Sequence, residues 1–240
     1  MNYKKPKAYL LHATPISLGE VAGRCCYNSF HLSEDESIRK FKVTKKVDDI
    51  ESSELLKKLV FAHQHESVIE HINLTYYIEQ ISREVIIEMN RHRIGIATSQ
   101  QSTRYTMEDV VNAWIDYNNE DISFEDFEKV VAKNIVDNEE HMITMTTKYI
   151  SGKLKVYNRE EQLVKGLTGS KKKKQNDRVK RCLPEVWMMD GVWTFNLRAL
   201  KHFYELRSSG AAYYGIQEVW EAIEEVTPKK YLDLIRKGDK

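Results

Sequence analysis

Arg91-His92-Arg93-Ile94-Gly95-Ile96-Ala97-Thr98-Ser99-Gln100-Gln101-Ser102-Thr103-Arg104-Tyr105 brings two guanidiniums and an imidazole together, bends through small residues, and runs into hydroxyls and amides closed by Arg-Tyr. A guanidinium keeps its proton in a protein and offers a planar fork of donors suited to phosphate or carboxylate. Just before it, residues 82–90 have the spacing of a short helix with Val85, Ile86 and Met89 on one side. Asn90 and the small, hydroxylated residues beyond Arg93 predict a helix end passing into a loop. The helix dipole favours cations at such an end by ~0.3–1 kcal/mol each, so one reading is a solvated basic terminus. Residues 95–105 add a second reading. Their backbone N–H groups, their Ser, Thr and Gln side chains and Arg104, with no acid among them, have the make-up of a phosphate cradle.

Upstream, residues 72–79 alternate, with Ile72, Leu74, Tyr76 and Ile78 on one face and Asn73, Thr75, Tyr77 and Glu79 on the other. That is a half-buried strand. Strand, helix and loop would then hold the cationic cluster on rigid elements, as a binding site needs. Before the strand stands His63-Gln64-His65-Glu66-Ser67-Val68-Ile69-Glu70-His71. Clustered His and Glu invite a zinc reading, but Ile69 and Ser67 occupy the positions where a second histidine would be required. Catalytic zinc is therefore rejected. Nearer the start, residues 7–12 read as a strand. Residues 18–27 read as a helix with Leu18, Val21 and Cys25 inward, followed by helices at 34–41 and 50–63.

Downstream, 110–117 is ambiguous between helix and strand, and 124–150 reads as one long helix broken near Ser151-Gly152. Met142, Ile143, Met145 and Tyr149 on it suit a core or a subunit contact. Residues 156–166 suggest another helix, and Lys171 to Lys174 a solvated loop. Asp190-Gly191 between two apolar stretches predicts a hairpin over 185–195. Residues 196–207 form an amphipathic helix with Leu200, Phe203 and Leu206 inward, and helices follow at 210–223 and from Pro228 to Lys240.

Composition narrows the classes. A chain of 240 residues can build one sizeable domain with its own core. Charged residues make up 30% of it, yet the net charge is only +1, and no aromatics interleave with the lysine run, so nucleic-acid binding is not supported. No stretch approaches the ~18 apolar residues needed to cross a membrane. The first residues lack the apolar core of a signal peptide. Cys25, Cys26 and Cys182 give neither a disulfide framework nor metal spacing, so a reducing, cytoplasmic home is expected.

The 91–105 stretch is similar to the signature of the flavin-dependent thymidylate synthases, Arg-His-Arg, seven residues, then Ser-x-Arg-Tyr, against eight residues between Arg93 and Ser102 here. The extra residue is placed between Ile94 and Thr98. The 63–71 stretch resembles the family's His-x-His-Glu-Thr/Ser-x-x-Glu-His. Residues 196–207 resemble its Asn-x-Arg-x-x-x-His/Asn-Phe-x-x-Leu-Arg, and residues 212–216 its Ala-Gln-Trp-x-Ile, with Tyr213 standing where the glutamine would be. Counting back from Pro184, Lys180 occupies the place of the arginine in the family's Ala-Arg-x-x-Leu-Pro; Arg178 and Arg181 are alternatives. Several signatures in register are more specific than any one. The chain resembles a divergent member, such as a virus would carry.

The resemblance implies an α+β fold, a single domain over 1–240 with a mainly antiparallel sheet flanked by long helices, assembled as a homotetramer with shared active sites. It implies methylation of dUMP to dTMP, with methylenetetrahydrofolate giving the carbon, FAD the hydride and NADPH re-reducing the flavin, without a cysteine nucleophile. Ser67, Glu70, Arg91, His92, Arg93, Gln100, Asn196, Arg198 and His202 would hold FAD. Glu88, Arg91, Gln100, Gln101, Ser102, Thr103, Arg104, Lys180 and Arg207 would hold dUMP, with Arg207 also the catalytic residue at the uracil ring. No metal, nucleic acid or membrane partner is expected, and the location would be cytoplasmic, the host's cytoplasm for a viral chain. Two rivals are a flavin- or nucleotide-binding relative without catalysis, and a helical nucleic-acid-binding or scaffold protein using Lys171 to Lys174 and Arg91 to Arg93.

Overall fold

The structure, a computed structural model, describes residues 3–160 and 163–237. In chain order its main elements are β1 (Lys7–Ala13), α1 (Ser17–Cys26), β2 (Asn73–Ser82), α2 (Arg83–Met89), β3 (Ile96–Gln100), α3 (Glu108–Asn118), α4 (Phe124–Lys133), α5 (Glu140–Glu160), α6 (Gly169–Val179), β4 (Met188–Asn196), α7 (Leu197–Arg207), α8 (Tyr214–Val226) and α9 (Lys229–Ile235). Four strands form one sheet in the order β1-β2-β4-β3. Rising residue numbers on one strand meet falling numbers on the next: Ile72 O accepts from Leu197 N, Thr75 Oγ1 bonds Thr194 Oγ1, and Trp187 O accepts from Arg83 N. The same inverse order links Gly95 to Asn196 and Gln101 to Asp190. The antiparallel α+β expectation holds.

The chain divides into two compact units, each drawn from separate stretches. One comprises Lys7–Ile78, Glu88–Ser99 and the chain from Val192 onward. Its core is the predicted face of β2, since Ile72, Leu74, Tyr76 and Ile78 are fully buried, joined by Phe195, Leu200 and Phe203. α8 packs against β1. On α1 the buried face is Ser17, Gly19, Glu20 and Gly23, and Cys25 is exposed, contrary to expectation. The reason is close approach: a Cβ on Gly23 would lie 2.8 Å from Leu59 Cδ1, so small residues and not Cys25 face the core. Residues 50–63 are not one helix, since Glu54–Lys57 passes into a π-helical turn over Lys58–Ala62. On α7, Leu200 and Phe203 are buried as predicted but Leu206 is 48% exposed. The inward path runs from Phe203 to Arg207, four residues on, instead of three. α8 begins at Tyr214, later than read, and α9 ends at Ile235, with 238–240 outside the described residues.

The other unit comprises residues 3–6, Glu79–Ile87 and Gln100–Gly191. The ambiguous 110–117 segment is helix α3, with Val110, Val111 and Trp114 buried. The long helix is broken earlier than read, between α4 and α5. There Ile135 bridges Trp187, Val136 O accepts from Lys4 N, and Lys4 Nζ donates to the carbonyls of Ala132 and Ile135. α5 runs straight through Ser151-Gly152, where Ser151 Oγ accepts from buried Trp114 Nε1 at 3.1 Å. Met145 and Tyr149 are exposed on it, so they do not fill this unit's core. The separate helix read at 156–166 is the end of α5, with residues 161–162 outside the described set. Lys171 to Lys174 lie in α6 and not in a loop. Lysine is a good helix former, and α6 is anchored by buried Asn176 and Val179 and by the Lys172–Glu108 ion pair.

The hairpin at Asp190-Gly191 is also absent: both residues sit inside β4. Asp190 Oδ1 accepts from Gln80 N at 3.0 Å and Oδ2 from Gln101 Nε2 at 3.1 Å. Gln80 has φ +63, a left-handed residue that breaks the ladder and leaves its N–H for a side chain. An aspartate that reads as a turn former is here an acceptor for an irregular neighbouring strand.

Candidate functional site

The Arg91-His92-Arg93 triplet follows α2, whose inward residues Val85, Ile86 and Met89 are buried as the spacing predicted. In the first unit, His92 meets the end of α7. Arg207 Nε donates to His92 Nε2 at 3.0 Å, and Arg207 Nη1 pairs with Glu88 Oε2 at 3.2 Å. Glu88 also receives Arg91 Nη1, at 2.8 and 2.9 Å to its two oxygens. The side chain of Arg207 is 15% exposed, against 67% for Arg91. His92 packs on Phe203 at 5.0 Å between ring centroids and on His202 at 6.0 Å. Burial, then Arg207 and His202, push the His92 imidazole down to about 4, so it is neutral at pH 7. Accepting from Arg207 fixes the tautomer, with the proton on Nδ1. A neutral acceptor and one carboxylate therefore aim a half-buried guanidinium.

Asn196 caps α7, its Oδ1 accepting from Ala199 N at 2.8 Å, and its own N–H donates to Gly95 O at 2.8 Å. Gly95 has φ +72, and a Cβ there would lie 2.5 Å from Asn196 Nδ2. The small-residue bend is thus fitted against the start of α7, and only glycine meets both conditions. Further along α7, Arg198 Nη1 pairs with Glu70 Oε1 at 2.6 Å and Arg198 Nε with Glu66 Oε2 at 3.5 Å. Lys201 Nζ meets Glu66 Oε1 at 2.9 Å and also pairs with Glu205. Ser67 and Glu70 are exposed on the helical turn Glu66–His71, and Arg93 and His202 are exposed as well. Sequence reading singled out neither Glu66 nor Lys201. Glu66 stood inside the quoted motif, and Lys201 lies three residues after Arg198 on the same helix face.

The stretch read as loop contains β3, because Ile96 and Thr98 are β-branched and β4 offers a free edge to pair. The second unit begins again at Gln100. Gln101 follows with its amide turned to Asp190: Nε2 donates to Oδ2, and Oε1 accepts from Asp190 N at 3.3 Å. Ser102 precedes the short turn Thr103–Thr106. Arg104 Nε and Lys180 Nζ converge on Asp177 Oδ1, at 3.5 and 3.2 Å, and buried Asn176 donates to Arg104 O at 2.6 Å. Lys180 therefore joins Arg104, whereas Arg178 and Arg181 line a different wall of this unit. Asp177 and Asp190 were missed. Asp190 was read as part of a turn and Asp177 was given no element, so no register placed either beside a partner.

Cys182 is buried, and its thiol is pushed up to about 11 by desolvation, which leaves it a poor nucleophile. Cys25 and Cys26 are exposed on α1. Among the described residues no helix is long and apolar enough to cross a membrane.

An α+β chain whose polar clusters are built from arginines, a neutral histidine and amide side chains has the chemistry of a protein for anionic, planar ligands. The sequence model of the thymidylate synthase complementing proteins matches residues 9–231, and the chain belongs to that family. A flavin-dependent thymidylate synthase of Wolinella succinogenes is 28% identical over 223 residues, covering 92% of this chain and 93% of that one. One from Pyrococcus abyssi is 30% identical over 182 residues, covering 75% and 65%. The crystal structure of thymidylate synthase X from Helicobacter pylori with FAD and dUMP superposes with a TM-score of 0.70 at 23% identity, covering 96% of this chain and 97% of that chain. That likeness establishes the fold.

Proposed function

We propose that this chain methylates dUMP to dTMP by a flavin-dependent route, with methylenetetrahydrofolate as carbon donor and NADPH as reductant. The observation that carries the reading is the half-buried Arg207 held by neutral His92 and by Glu88. Bound FAD supplies the hydride chemistry. Its fit rests on the polar groups present: Arg91 and Arg198 each present a largely exposed guanidinium, exposed Arg93, Ser67 and His202 lie in the same unit as further donors, and Glu70 is an acceptor. Gln100 is assigned to both ligands and Asn196 to the flavin, by its Nδ2 once Oδ1 has capped α7.

Arg207 faces the uracil ring in this reading. Its fixed positive charge stabilises the negative charge that builds as C5 becomes nucleophilic, an electrostatic contribution that needs no reorganisation at the moment of reaction. His92 accepts one guanidinium proton without competing for it, because its imidazole stays neutral well below pH 7. Glu88 compensates the buried charge and ties Arg91 to the same point. Arg104 and Lys180 take the phosphate, which replaces Asp177 between them; Ser102, Thr103 and Gln101 donate beside it. Lysine contributes a point charge in place of a bidentate fork. Residues 1–240 act as one domain, the working form is a homotetramer with shared sites, and the location is cytoplasmic.

A visible spectrum of the purified chain with FAD, then NADPH with and without dUMP, tests the redox half. Flavin bands that bleach faster with dUMP support the reading. No flavin binding at high FAD concentration would remove it.

A further inference from the structure

α7 carries Arg198, Lys201 and Glu205 on one face, at the spacing that stacks side chains along a helix. The turn Glu66–His71 packs against that helix, and all of these residues belong to the first unit. Their exposure is graded. The Lys201 side chain is 12% exposed and that of Glu66 25%, whereas that of Arg198 is 51% exposed. Burial pulls the Lys201 ammonium down, yet hydrogen bonds to Glu205 and Glu66 outweigh it and hold the group above the ordinary lysine value. It therefore stays charged through neutral pH, and a charge at that depth acts on its neighbours with little screening.

Glu66 divides its two oxygens between the cations. Oε1 meets Lys201 Nζ at 2.9 Å, and Oε2 reaches Arg198 Nε at 3.5 Å. A carboxylate beside a guanidinium frequently takes it as a bidentate fork. Lys201 withholds one oxygen, and the contact left to Arg198 is long, so Glu66 steers that guanidinium without saturating it. Glu205, one turn further along α7, ties Lys201 in place. The contacts thus run from a nearly buried ammonium, through a carboxylate, to an exposed guanidinium.

We propose that Lys201 is a positioning residue for the flavin, acting through Glu66 to keep the Arg198 guanidinium open to an acceptor group of FAD. This role rests on the flavin-dependent reading and deepens it with a residue that the reading does not assign.

Titration of the full chain with FAD, followed by flavin fluorescence without dUMP or NADPH, tests it. Lys201→Met, which removes the charge and keeps the bulk, should weaken FAD by about tenfold, and Lys201→Arg should stay within about threefold of the unaltered chain. In a Glu66→Gln background the same Lys201→Met change should cost less than about threefold, because the carboxylate it acts through is already gone. Glu205→Gln loosens the ammonium from its other partner and should weaken FAD by about threefold, which reads the same linkage if the methionine variant does not fold. Lys40→Met, which breaks an exposed pair with Glu36 in the same unit, should leave FAD affinity unchanged. The role is overturned by unchanged FAD affinity in Lys201→Met or in Glu205→Gln, by an equal loss in Lys40→Met, by a loss in Lys201→Arg as large as in Lys201→Met, or by losses that add in the double variant. An unaltered chain that binds no FAD would overturn the flavin reading itself, whereas one that binds FAD without responding to Lys201 overturns this role alone.

Discussion

The two polar clusters differ in what already occupies them. In one unit Arg207 is half-buried and aimed by two fixed neighbours, a neutral His92 and the carboxylate of Glu88. In the other, Arg104 and Lys180 lie nearer solvent and share the Asp177 carboxylate, with side chains 35%, 44% and 40% exposed respectively. In the proposed reading the first cluster is already arranged for its ligand, and the second holds a stand-in anion, Asp177, that a phosphate would displace. Pre-organisation raises the rate of a chemical step, whereas a stand-in lowers affinity.

The largest effect should come from the first cluster. Arg207→Ala should cut the turnover of dUMP by roughly 10²–10³, as loss of one charge-stabilising donor does elsewhere, and Arg207→Lys should recover little because lysine cannot reach His92 and Glu88 as a fork. Steady-state dTMP formation reads this; an unchanged kcat with a raised KM would move Arg207 from the chemistry to binding. Next, Gly95→Ala should cost about 1–3 kcal/mol in stability, since the added Cβ meets Asn196 Nδ2 at 2.5 Å and the residue has φ +72. Thermal melting should show it, together with weaker FAD binding.

Smaller effects sharpen the contrast. Lys180→Ala should raise KM for dUMP by about tenfold at constant kcat, and Asp177→Asn should lower it by about threefold, because the stand-in anion is gone. An Asp177→Asn variant with a higher KM would show that the carboxylate positions the cations and does not block them. His92 should act through the pH dependence of stability. Its folded-state imidazole titrates near 4 against about 6.5 when unfolded, so between those values the unfolded chain binds the extra proton. Stability is therefore full above about pH 6.5 and falls as pH drops toward 4. The loss is about 1–2 kcal/mol once screening of this partly exposed group is allowed for. Denaturant midpoints across that window, compared with His92→Gln, measure it.

What could be read from sequence followed the length scale of each signal. β2, α2 and α7 carry their own periodicity, and their buried faces came out as spaced, apart from Leu206, whose place Arg207 takes. The members of the first cluster, Glu88, Arg91, His92 and Arg207, were each singled out through the resemblance, but the pairing of Arg207 with His92 and Glu88 was not legible, because it joins two elements far apart in the chain. The second depended on pairing that no local pattern encodes. β3 is polar and becomes a strand only beside β4. α6 has no apolar stripe beyond Val179, so its lysines read as loop and Asp177 had no register. Asp190-Gly191 carries a strong turn signal, overridden by the Gln80 and Gln101 donors that its carboxylate accepts.

The central claim is tested most directly by incubating the full chain with FAD, NADPH, methylenetetrahydrofolate and isotopically labelled dUMP, and resolving the nucleotides formed. The account predicts labelled dTMP that requires all four additions and is lost in Arg207→Ala. Binding of FAD and dUMP without any dTMP would contradict it and leave a flavin- and nucleotide-binding protein without this catalysis.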